Sequence, residues 1–87
     1  MPLLVMHNSL PEPERGAVER EVVAGLSNHR ASDSWRVKIS QLEYLPGRFL
    51  VMVETADERR VGAWLFRSFD EPIRSRIRND LADLREP

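Results

Sequence analysis

The apolar residues of this 87-residue chain recur at every fourth position near both ends and at every second position between them. A four-residue period places side chains on one stripe of a helix, whereas a two-residue period places them on one face of a strand. The chain therefore predicts one helix near each end and strands in the middle. This order of elements favours the α+β class.

Each predicted helix has start signals followed by one apolar stripe. Ser9-Leu10-Pro11-Glu12 has the spacing of a capping box, and Ser68-Phe69-Asp70-Glu71-Pro72 repeats that spacing with a proline in the first turn. These signals predict helices over about 10–27 and about 70–84. The stripe residues are Val18, Val22 and Leu26 in the first helix and Ile73, Ile77, Leu81 and Leu84 in the last.

The middle of the chain predicts three strands joined by short turns. Residues 35–40 alternate between apolar and polar side chains, residues 49–53 are apolar throughout, and residues 60–67 form a third apolar segment. Leu45-Pro46-Gly47-Arg48 has Pro and Gly at the central positions that a type II turn favours. Consecutive strands with short turns form an antiparallel meander, so the predicted architecture is αβββα with a three-stranded antiparallel sheet.

The two apolar stripes determine how the sheet is covered. Because each helix has only one stripe, both helices are expected to pack on one face of the sheet and to leave the other face uncovered. Placing Lys38 opposite Glu54, a favourable cross-strand pair, decides which residues point to the helices. The helix side then holds Trp35, Val37, Ile39, Phe49, Val51 and Val53.

The uncovered face carries the predicted interface, whose residues are Leu42, Leu50 and Met52. A one-residue change of register swaps the two faces of the third strand. The third strand therefore extends this patch either with Trp64 and Phe66 or with Val61, Ala63 and Leu65. Large exposed apolar patches mark interfaces. The leading hypothesis is a non-enzymatic interaction domain that forms a homodimer, or binds another protein, through this face.

Residues 1–8 lie outside the predicted helices and the meander. Leu3-Leu4-Val5-Met6 is a short apolar run. We expect this segment to be flexible, to add a strand at the edge of the sheet, or to fold back as a lid over the exposed patch.

Three arginines provide an alternative function. Arg74 and Arg78 share one face of the last helix, and Arg67 precedes that helix, so the three guanidinium groups can bind a phosphate or a carboxylate. This set supports an RNA- or nucleotide-binding module as the second hypothesis. The net charge of −1, with no basic stripe, makes nucleic acid the less favoured partner.

The sequence predicts no catalytic residue, no metal ligand set and no cofactor site, so an enzyme is the third hypothesis. The chain has no Cys, and its four glycines are isolated rather than grouped around a phosphate. His7 and His29 have no partner set, and His29 is expected to be solvated or to cap a helix.

The chain is expected to form one cytoplasmic domain over residues 1–87. The first six residues lack the features of a signal peptide, and the longest apolar runs are far shorter than a membrane span. The absence of Cys fits a reducing compartment. We therefore expect no membrane partner.

Two resemblances follow from these elements. The order αβββα resembles the double-stranded-RNA-binding domain, which implies A-form duplex binding. Where that family has clustered lysines, this chain has Phe69-Asp70-Glu71-Pro72, which would repel phosphate. Trp35-Arg36-Val37-Lys38-Ile39 and Ile77-Arg78-Asn79-Asp80-Leu81-Ala82 are similar to short uncharacterised proteobacterial proteins grouped as a domain of unknown function. That resemblance covers about half of the chain and implies a bacterial source and no particular activity.

Overall fold

The computed structural model describes residues 3–45, 47–67 and 71–84. The α+β class and the two helices are confirmed, with helix ends within a few residues of the predicted ones. None of the described helices is both long and apolar enough to cross a membrane. In chain order the elements are β1 (Leu4–Asn8), α1 (Glu14–Leu26), a short 3₁₀ turn (Ser32–Ser34), β2 (Trp35–Gln41), β3 (Phe49–Thr55), β4 (Arg60–Phe66) and α2 (Glu71–Ala82).

The sheet differs from the predicted one because it has four strands, in the order β1-β2-β3-β4. β1 pairs parallel to β2, with Val5 opposite Val37. The three-stranded, purely antiparallel sheet predicted from the sequence is therefore wrong, and the sheet is mixed. The physical reason is the connection: α1 lies between β1 and β2 in the chain, and a helical crossover returns the chain in the same direction.

The predicted capping box at Ser9-Leu10-Pro11-Glu12 is also wrong. Helix α1 begins at Glu14, and no side chain caps its first turn. Ser9 instead extends the contact between β1 and β2: its N–H donates to the Ile39 carbonyl at 3.0 Å, and its hydroxyl oxygen accepts from the Gln41 N–H at 2.9 Å. The serine is therefore used by the sheet rather than by the helix. The second predicted box begins at residues 68–70, which lie outside the described residues.

Strands β2, β3 and β4 are antiparallel neighbours, as the meander predicts. In the first turn, the Arg48 N–H donates to the Leu45 carbonyl at 2.9 Å, and Gly47 has a φ of 79°. Both features are those of a type II turn. Pro46 lies outside the described residues.

The register of β2 against β3 differs from the predicted one by two residues. Lys38 lies opposite Met52, and Arg36 lies opposite Glu54. A two-residue shift preserves the faces of both strands, so the six residues predicted on the helix side are buried there. The same register logic resolves β4: Trp64 lies opposite Val51 and therefore points to the helices.

The turn between β3 and β4 places a glutamate in a backbone conformation that favours glycine. Glu58 has a φ of 67°, and its N–H donates to the Thr55 carbonyl at 3.0 Å. We expect Glu58→Gly to raise the free energy of unfolding by about 1 kcal/mol, because glycine adopts positive φ without steric cost. Urea unfolding measures this change. Glu58→Ala is the matched control and should give no such gain; equal gains for both variants would contradict the explanation.

The helices and one face of the sheet enclose the core. Its fully buried residues include Val18 and Val22 from α1, Ile77 and Leu81 from α2, and alternate residues of β2 and β3. The two helices approach closely at Gly25, where an added Cβ would lie 2.7 Å from the Arg78 carbonyl oxygen. Both helices therefore pack on the same side of the sheet.

Candidate functional site

The face of the sheet that points away from the helices is the candidate site, and we call it the open face. It consists of the residues that alternate with the buried ones along the strands, and these residues are half-buried or exposed rather than buried. The helices pack against the opposite face, so none of the described helices covers the open face. The open face carries an apolar end and a charged end.

The apolar end contains all three residues of the predicted interface. Leu50 and Met52 lie on β3, and strand alternation places Leu42, just after β2, on the same face. All three are half-buried. Strand β4 adds Ala63 opposite Met52 and Leu65 opposite Leu50, and Leu65 is 53% exposed. Of the alternative Val61, Ala63 and Leu65, the observed register therefore places Ala63 and Leu65 in this patch, whereas Val61 packs against the core.

The charged end lies at the start of β2 and the end of β3. Arg36 is opposite Glu54, and the Lys38 Nζ lies 3.7 Å from the Glu54 Oε2. The pair is accessible to solvent, so its contribution to stability is small. On β2 and β3 the charged side chains therefore lie toward one end of the open face, and Lys38 lies directly opposite Met52.

β1 adds two exposed apolar side chains that the sequence did not place on this face. Leu4 lies opposite Arg36 and is 46% exposed, and Met6, at 55% exposure, borders the charged end beside Lys38. The only signal for them was the apolar run at the start of the chain. Since residues 4–8 form an edge strand, they do not act as a lid over the apolar end.

One of the three predicted anion-binding arginines has a partner on the other helix. The Arg78 guanidinium binds Glu21 on α1 through two contacts, of 2.8 Å and 3.0 Å. Arg67 is exposed at the end of β4, where the described lining of a groove of about 420 Å³ includes Arg76 but neither Arg74 nor Arg78. The anion-binding hypothesis therefore stays a prediction, and only Arg67 of its three residues borders this groove.

His29 has a structural partner. Its Nε2 lies 2.8 Å from the Leu81 carbonyl oxygen, and the ring packs against Trp35 with the centroids 5.5 Å apart. A carbonyl oxygen only accepts, so Nε2 carries the proton and donates this bond. The histidine thus binds the last turn of α2, as the helix-capping interpretation predicts.

Among the described residues, no group of three or more His, Asp or Glu side chains is placed to hold a metal ion.

The shifted pKa of Asp57 has a local cause in the β3–β4 turn. The Thr55 hydroxyl donates a hydrogen bond to its carboxylate, and the Arg59 guanidinium lies 3.3 Å from it, so both neighbours lower the pKa of Asp57. A lowered pKa stabilises the fold above the unfolded-state value, and this contribution is lost as the pH falls through the folded-state value. This shift belongs to turn structure and points to no catalytic role.

Comparison with known proteins gives no relative that defines a function. No protein-family model, no curated protein and no solved structure matches this chain. The open face and the arginines described above are therefore the observations on which a function has to be argued.

Proposed function

We propose that this chain is a non-enzymatic interaction domain that binds a second copy of itself through the apolar end of the open face. The observation that carries this proposal is the exposure of Leu65 beside the half-buried Leu50 and Met52, on a face that no described helix covers. Monomeric proteins rarely expose contiguous apolar side chains over a large area. A patch of this kind therefore marks an interface. A second copy would remove this patch from water.

The charge distribution fits a symmetric dimer. A two-fold axis through the apolar end places Leu50 and Met52 against the same residues of the second copy. Arg36 and Glu54 lie toward the other end of the strands, so they would remain at the hydrated rim. Lys38 lies opposite Met52, and its ammonium group reaches toward this rim through its contact with Glu54. Such an arrangement buries apolar side chains without burying the charged ones.

Light scattering tests this proposal. At about 100 μM the unmodified chain is expected to be a dimer, because an interface of modest size has a dissociation constant in the micromolar range. Leu65→Glu is expected to give a monomer, since Leu65 lies opposite Leu50 and its carboxylate replacement would lose its hydration in the interface without gaining a partner.

The control for this experiment is Ala24→Glu. Ala24 is exposed on α1, away from the open face, so this variant adds the same charge and should stay dimeric. Circular dichroism of both variants checks that they fold. If the unmodified chain is folded but monomeric at about 100 μM, a dimer with a micromolar dissociation constant is excluded.

A further inference from the structure

Among the described strands, the order leaves two edges, β1, which is interrupted in its middle, and β4, which is irregular only at its start. Free edges offer unpaired N–H and C=O groups to other chains, and natural proteins shorten, charge or bulge them to prevent this. β1 has five residues, and its register shifts between Val5 and His7. No more than two consecutive residues of β1 therefore pair regularly with β2.

β4 lacks such protection over most of its length. Its one irregularity lies at the start, where Val53 pairs with Gly62 and Glu54 with Arg60. Gly62–Phe66 is then a regular run of five residues without a charge or a proline. Within the described residues β4 pairs only with β3, so its outer edge is available for another strand.

An exposed arginine lies on each side of this uncharged run, Arg60 before it and Arg67 after it. Glu54, opposite Arg60, contacts Lys38 at 3.7 Å, and Asp57 in the preceding turn contacts Arg59 at 3.3 Å. If β4 paired antiparallel with β4 of a second copy around Trp64, the middle of the run, Arg67 would lie opposite Val61 of that copy, one position from Arg60. Like charges on neighbouring strands are unfavourable, whereas acidic residues at the same places would be attracted.

We propose that the outer edge of β4 binds an extended segment of another protein that has an uncharged, β-forming centre and acidic residues at its ends. The backbone of the segment would supply the missing ladder hydrogen bonds, and its acidic side chains would face Arg60 and Arg67. This site uses the backbone edge of β4, whereas the proposed dimer uses the Ala63 and Leu65 side chains of the same strand, so the site does not require dimer formation.

Two synthetic peptides test the proposal. One has a Val-Thr-Val-Thr-Val centre with two aspartates at each end, and the other has lysines in place of the aspartates. We expect the acidic peptide to bind at least about tenfold more tightly at low salt, with amide chemical-shift changes centred on residues 60–67, and the preference to shrink as salt is added.

Charge-reversed variants complete the test. Arg60→Glu combined with Arg67→Glu should reverse the preference between the peptides, whereas Arg20→Glu, an exposed change on α1, should leave it intact. Equal affinity for both peptides, binding of neither at about 1 mM, or shifts confined to β1, β2 and β3 would overturn the proposal. Intermolecular nuclear Overhauser effects between β4 backbone protons of two copies, without peptide, would also overturn it, because they would show that β4 pairs with β4 of a second copy.

Discussion

Gly25→Ala is expected to lower the free energy of unfolding by about 1–3 kcal/mol, although alanine is the better helix former. The added Cβ would lie 2.7 Å from the Arg78 carbonyl oxygen and 3.0 Å from the Leu81 Cβ. The Arg78 carbonyl oxygen belongs to the backbone of a packed helix and cannot move away as the end of a flexible side chain can. The added Cβ is therefore accommodated only if α1 and α2 move apart. That separation loosens the contacts of both helices with the sheet.

Gly16→Ala is the matched control for this substitution. Gly16 lies in the same helix, but an added Cβ would meet no atom within 4 Å. Its replacement should therefore raise the free energy of unfolding by about 0.5–1 kcal/mol through helix propensity alone. Urea unfolding of both variants gives the comparison. If Gly25→Ala were stabilising to the same degree as Gly16→Ala, the close approach of the helices would be wrong.

Ile77→Ala is expected to lower the free energy of unfolding by about 2–4 kcal/mol. Ile77 is fully buried among the core residues of both helices and the sheet, so its truncation removes apolar burial and leaves a cavity. Urea unfolding measures this change. The slope of the free energy of unfolding against urea concentration should be the same for the variant and the unmodified chain, which checks that both expose a similar surface on unfolding.

The neighbouring Arg78→Ala serves as its control. Arg78 is largely exposed but holds Glu21 on α1 by two contacts, so its loss should lower the free energy of unfolding by about 0.5–1 kcal/mol. The sequence alone predicts a smaller loss, because it does not show this partner. If the effects of Ile77→Ala and Arg78→Ala were equal, the orientation of α2 would have to be different.

The sequence predicts the elements whose signals lie within a few residues of one another. The stripe of Val18, Val22 and Leu26 identifies α1, and the alternation around Val37 and Ile39 identifies β2 together with its buried face. β1 has no comparable signal. It has five residues, and its partner β2 follows only after the whole of α1, so no hairpin turn links the two strands.

Contacts between residues that are far apart in the chain could not be predicted from the sequence. Gly25 reads as a weak point of a helix until the position of Arg78 is known, and Glu58 gives no sign of its positive φ. The candidate site was predicted in part for the same reason. Leu50 and Met52 follow from the assumed pairing of Lys38 with Glu54, because its two-residue error preserves the faces of β3. The exposure of Leu65 depends on the register of β4, in which a shift of one residue swaps the faces.

Intermolecular nuclear Overhauser effects between isotope-labelled and unlabelled copies test most directly whether two copies meet at the apolar end of the open face. In an equimolar mixture, the Met52 and Leu50 methyl groups of the labelled copy should show contacts to methyl groups of the unlabelled copy. Val18 and Val22 lie on α1 and are fully buried in the core, so their methyl groups should show no such contacts. Intermolecular contacts that arise from the helices, or their complete absence from Met52 and Leu50 in a sample that is dimeric, would contradict the proposed interface.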